Sequence, residues 1–93
     1  VMAKLVRDST DISVGATASN RTSCSGYAEP TSVNNMFPLQ ITYLDSPATT
    51  SATTYKVQGL AFTNGHLNRS DGDGDSSSRG RTASSITVME IAG

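Results

Sequence analysis

Residues 39–58 read LQITYLDSPATTSATTYKVQ, and the reading of this stretch decides the fold class. On its first arm Leu39, Ile41 and Tyr43 alternate with Gln40 and Thr42; on its second, Tyr55 and Val57 alternate with Thr54, Lys56 and Gln58. Strand side chains point to opposite faces with a period of two, so each arm predicts a half-buried β-strand. Between the arms, Asp45-Ser46-Pro47-Ala48 is a turn signal, because Asp bonds forward to its own backbone and Pro fixes φ. The stretch therefore predicts two antiparallel strands joined by a Ser/Thr-rich connection of roughly seven to nine residues.

Composition agrees with an all-β chain. The 93 residues include 14 Ser and 12 Thr, which suit strands and turns better than helices. Hydrophobic residues make up only 35% and Trp is absent, so the core is thin for one small domain. The single cysteine, Cys24, allows no internal disulfide. Burial against identical or neighbouring chains is the expected remedy. A net charge of −1 without a basic face argues against nucleic-acid binding. No apolar run approaches the roughly 20 residues of a membrane span, so no membrane insertion is expected. The chain opens on Val1 rather than Met, which predicts a processed or partly represented piece of a longer chain.

Working outward from residues 39–58, other strands follow. Residues 1–7, VMAKLVR, carry apolar residues on both faces and predict a strand covered on two sides. Asp8-Ser9-Thr10-Asp11 is a charged turn, after which residues 12–14 resume as a short strand. Residues 15–25 are small and polar and predict a loop or weak edge; residues 26–28 form a short strand stopped by Pro30, and 31–35 return to loop. Past Val57 the apolar phase flips, and Gly59 at the flip suggests a β-bulge. Asn64-Gly65 predicts a tight turn and residues 66–69 a short returning strand. Residues 70–82, SDGDGDSSSRGRT, are an exposed loop. In residues 84–92, Ile86 and Val88 face one way while Met89 and Ile91 flank the other, the pattern of a last strand covered on both sides. Together these elements predict a small antiparallel sandwich or jelly roll in one domain, residues 1–93.

Chemistry-bearing residues are few. His66 and Cys24 are single copies 42 positions apart, with no flanking signature of a nucleophilic pair and too few ligands for a structural zinc. Asp71, Asp73 and Asp75 alternate like the start of a calcium loop, but Ser76 and Thr82 stand where the helix-loop-helix calcium pattern needs Gly and Glu. A solvated loop is the favoured role, and no metal or cofactor is assigned. Arg79 and Arg81 beside this acidic run read either as charge compensation or as a contact for a host cell-surface glycan. Asn20 and Arg21 hold the corresponding exposed place in residues 15–25. The sequons at Asn20 and Asn68 are read as chance. Glu90 is the one acid in an apolar strand and is expected to pair with Lys56, Arg7 or Arg69 across the sheet. Nothing here assembles an enzyme.

Three segments in order carry a resemblance: LVRDST at residues 5–10; YLDSPATTS at 43–51 with TYKVQ at 54–58; and NRS at 68–70 with RTASSITVMEI at 81–91. This combination resembles the C-terminal part of small β-rich structural modules of tailed bacteriophages, especially marine and cyanobacterial ones. It covers about two-thirds of the chain and leaves residues 13–38 unassigned. The resemblance implies a tail-fibre-like protein on the virion surface, with a jelly roll similar to the C1q and tumour-necrosis-factor class. It also implies a homo-oligomer, typically a trimer, contacting other virion proteins. No catalytic residue is carried by the motif. Its positions are structural: Asp45 and Pro47 set the turn, Tyr55 and Val57 face the core, and Ile86, Val88 and Ile91 form the last strand. A capsid-decoration or fibre-anchoring protein and a subunit of a self-assembling filament are the alternatives.

Overall fold

The computed structural model describes residues 1–29, 35–61 and 65–92. Among these the chain is all-β and carries no helix: β1 spans Met2–Arg7, β2 Thr10–Ile12, β3 Gly26–Tyr27 and β4 Tyr55–Leu60. All four belong to one antiparallel sheet, and every pairing runs through β1. On one edge β4 pairs with the whole of β1, from Arg7↔Tyr55 to Met2↔Leu60. A strand has two edges, so β2 and β3 share the other, β2 against Leu5, Val6 and Arg7 and β3 against Met2 and Ala3.

The apolar pattern of residues 1–7 explains this central place. Ala3 and Val6 are both buried although they point to opposite faces, and Val6 is only 3% exposed. The charged turn after β1 forms as expected but more tightly: Asp8 and Ser9 alone connect Arg7 to its partner Thr10, with Asp8 at φ 53°. Asp and Asn tolerate this left-handed region better than most residues. β2 is accordingly Thr10–Ile12 rather than residues 12–14, and Ile12 joins Ala3 and Val6 as the third buried apolar residue.

The handover from β2 to β3 leaves a gap along the β1 edge, and one serine fills it. The Ser25 N–H donates to the Ala3 carbonyl at 2.7 Å. Its Oγ accepts from the Leu5 N–H at 2.9 Å and donates to the Ile12 carbonyl at 3.1 Å. A single hydroxyl thus bridges the Leu5 donor and the Ile12 acceptor where the β1–β2 pairing ends.

Four strand expectations are corrected. Residues 39–43 do not pair as a strand. Leu39 and Ile41 pack over Gly26, on the face shared by Ala3, Leu5, Arg7, Val57 and Tyr55. Both edges of β1 are already taken, and the arm serves as cover. A methyl group on Gly26 would sit 2.8 Å from the Leu39 side chain, so this close approach requires glycine. Gly59 makes no bulge, because Ala3↔Gly59 continues the one-to-one register between Lys4↔Gln58 and Met2↔Leu60. The phase flip is left in place, and Val57 and Leu60 stay exposed on opposite faces, so Val57 does not face a core. Residues 66–69 hold only an isolated bridge at Arg69, and residues 62–64 of the expected Asn-Gly turn lie outside the described residues, as do 30–34 of the earlier loop.

The last correction is the largest. Residues 83–92 form no strand and are exposed throughout, with Met89 at 79% and Ile91 at 73%, and Ile86 and Val88 also exposed. A segment apolar on both faces needs cover on both, and the sheet formed by the described residues offers none.

Replacing Ser25 by Ala should orphan the Leu5 N–H and lower stability by roughly 1–2 kcal/mol, while Thr, which keeps the hydroxyl, should cost less. Urea midpoints of the two variants check this, and equal midpoints would contradict the role given to Ser25.

Candidate functional site

Two polar clusters stand out from the sheet. The first joins β1, β4 and the chain between them. Arg7 and Tyr55 are directly opposed in the β1–β4 register, so their side chains share a face. Asp45 lies over both. Arg7 Nη1 donates to its two carboxylate oxygens at 2.5 and 2.6 Å, and Tyr55 Oη donates to Oδ2 at 2.8 Å. The Asp45 side chain is only 12% exposed. The guanidinium of Arg7, followed by the Tyr55 hydroxyl and the Ser46 amide, holds its carboxyl below the usual carboxylate value, against the opposing effect of burial. The Tyr55 hydroxyl is pushed up by the same carboxylate. One residue on, the Asp8 N–H donates to the Thr54 carbonyl at 2.7 Å and the Thr54 N–H to Asp8 Oδ1 at 2.9 Å, extending the ladder past Arg7. Asp45 therefore does more than shape its own turn: it ties residues 39–49 to the sheet. Pro47 is half-buried, and Ala48 after it takes φ 50°. The sequence pointed to Asp45 and Tyr55 but not to Arg7 as their partner. The available signal was a cation, Arg7, on the same strand face as the apolar Ala3 and Leu5.

The second cluster organises residues 66–82. Arg69 and Arg81 face each other in an antiparallel bridge, and the Thr82 N–H donates to the Asn68 carbonyl at 2.9 Å. Two like charges at the neck of a loop repel, and Asp73 folds back between them. Arg69 Nη1 donates to Asp73 Oδ2 at 3.0 Å, and Arg81 donates through Nε to Oδ1 at 2.9 Å and through Nη2 to Oδ2 at 2.5 Å. Arg81 and then Arg69 lower the Asp73 carboxyl to about 2. Asp73 takes φ 37°, and its N–H donates to the Oγ of buried Ser70. His66 extends the cluster: its Nδ1 accepts from Arg69 Nη2 at 2.8 Å, so Nε2 carries the proton donated to Asp71 at 2.5 Å.

This arrangement turns Asp71 and Asp73 away from a calcium-like set with Asp75. Asp71 is turned to His66 and both oxygens of Asp73 are held by arginines. Among the described residues no group of three or more His, Cys, Asp or Glu is placed to hold a metal ion. An open hollow of about 390 Å³ lies along the loop, lined by Asp73, Gly74, Asp75, Ser76, Arg79 and neighbours. Its lining is polar, unlike the mostly apolar pockets that enclose small molecules.

Arg79 and Arg81 differ in state. Arg81 compensates Asp73, whereas Arg79 makes no ion pair among the described residues and reaches only the Ser78 hydroxyl at 3.4 Å. Asn20 and Arg21 are exposed at a turn in which the Arg21 N–H donates to the Ala18 carbonyl, with Ser19 at φ 52°. The loop carrying them is closed by the Gly15 N–H donating to the Cys24 carbonyl. The structure does not bring Cys24 and His66 into contact. None of the three expected partners meets Glu90: Arg7 is held by Asp45, Arg69 by Asp73, and Lys56 makes no ion pair among the described residues.

No protein-family model, curated protein or solved structure matches the chain. The resemblance to tailed-phage modules therefore stands on the segments quoted from the sequence.

Both depressed carboxyls give acid sensitivity of one sign. Unfolded, Asp45 and Asp73 titrate near 3.8, above their folded values. The stability they contribute is complete above that value and is lost as pH falls through the folded values, near 2 for Asp73. Urea midpoints from pH 6 to pH 2 should fall steeply below pH 4, and less steeply in Asp45→Asn, which has no charge left to lose. Parallel pH profiles for the two proteins would contradict the pairing.

Proposed function

We propose that this chain is a non-enzymatic structural module of a virion surface, acting as a homo-oligomer, in keeping with the trimeric tail-fibre and host-attachment proteins it resembles. One observation carries the assembly half of this reading. The isolated chain exposes 7517 Å², whereas a compact monomer of 9.7 kDa exposes about 5,100 Å². Its radius of gyration is 15.9 Å, against about 12 Å for a compact chain of this length. The excess of about 2,400 Å² is several times the roughly 800 Å² that each partner buries in a standard interface. Much of it is apolar, with Phe37, Tyr43, Leu44, Val57, Leu60, Met89 and Ile91 all exposed. On this reading the sandwich or jelly roll is completed between copies, and the loops at residues 15–25 and 70–82 face outward.

The virion half rests on the quoted resemblance. Within it Arg79 is the best-placed contact for an anionic host glycan, since its charge is not spent on a neighbouring acid. A filament subunit is the second reading, favoured by one observation: β4 pairs only with β1, and its outer edge is open among the described residues.

Sedimentation equilibrium of the purified chain separates these. A closed assembly should give one mass, three times the chain's, over at least a tenfold concentration range, and a filament a mass that climbs with concentration. A monomer throughout would overturn the proposal. Replacing Arg79 by Ala should lower adsorption of the module to its host surface severalfold, whereas Arg81→Ala should act mainly by loosening the loop.

A further inference from the structure

We propose that the exposed segment 85–91 of one copy adds as an antiparallel strand to the open β4 edge of the next, an inference that rests on the oligomeric reading above. Both halves of the contact are present on every chain and unused within it. β4 offers an unpaired edge, and residues 83–92 have neither strand partner nor cover among the described residues.

The side chains fix the register. With Glu90 opposite Lys56, Ile91 meets Tyr55, Met89 meets Val57, Val88 meets Gln58, Thr87 meets Gly59 and Ile86 meets Leu60. Every large apolar residue of the β4 edge then faces an apolar residue, and Lys56 and Glu90, which make no ion pair among the described residues, meet each other. Slipping by one residue either way sets Glu90 against Tyr55 or Val57 and exchanges the faces of the whole segment. A parallel alignment that keeps Glu90 beside Lys56 carries Ile86 and Val88 beyond the start of β4 at Tyr55. The antiparallel register therefore satisfies both apolar faces and both charges at once.

A second copy is the occupant because the edge that complements residues 85–91 is this chain's own, and because the excess area exceeds what a stable contact buries. The donor and acceptor patches differ, so the contact is head-to-tail; it closes in a ring of three and propagates in a filament.

The test mixes two full-length chains in a Cys24→Ser background, one carrying Lys56→Cys and the other Glu90→Cys, under mild oxidation. The expected product is a disulfide-linked heterodimer, absent when Lys56→Cys is mixed with Asp75→Cys. A fixed-mass oligomer without that cross-link would overturn the strand addition while leaving the oligomeric reading intact, and a monomer without it would overturn both. A double variant that cross-links only within its own chain would also overturn the proposal. As a check independent of cysteine chemistry, Lys56→Glu should weaken assembly about fivefold or more, and adding Glu90→Lys should restore it. No recovery in the charge-swapped chain would count against the register.

Discussion

Every strand among the described residues is hydrogen-bonded through Met2–Arg7, and that shared ladder is the constraint on which the rest depends. β1 is the one strand with a buried residue on each face, and it needs partners on both edges. Its far edge is served by two strands of three and two residues, too short to cover it without the Ser25 hydroxyl. Its near edge is served by β4, which arrives from more than forty residues away. Asp45 and Asp8 clamp β4 at Arg7, Tyr55 and Thr54. Charge and hydrogen bonding thus do at the sheet's margin what hydrophobic burial does at Ala3, Val6 and Ile12.

Periodicity alone made much of this legible. The two-faced apolar pattern of residues 1–7 gave the central strand, and Tyr55–Val57 gave β4. The same logic misplaced residues 39–43 and 84–92. Alternation reports that a segment wants cover on alternate sides; it does not report whether hydrogen-bonding edges remain to receive it. Leu39 and Ile41 satisfy their alternation by packing over Gly26, without pairing. Ile86, Val88 and Ile91 find no cover among the described residues. The Ser25 bridge and the folding of Asp73 between Arg69 and Arg81 were not legible, because a short polar side chain in a Ser- and Asp-rich run carries no periodic signal. The alternate acids 71, 73 and 75 suggested a cation site, and local arginines supplied the positive charge instead.

These partial successes share one cause. A chain with a 35% hydrophobic share and three buried apolar residues among the described ones sits at the lower limit of what one small domain can stabilise. Its excess surface, open β4 edge and uncovered apolar segment are three faces of the same deficit. The proposed assembly with further copies would cover all three together.

Amide hydrogen exchange measured across a concentration series tests this assembly most directly. The account predicts that residues 2–7 exchange slowly at every concentration. Residues 85–91 should exchange fast in dilute solution and gain protection, together with 55–60, as the chain is concentrated. Fast exchange of residues 85–91 at all concentrations would contradict it.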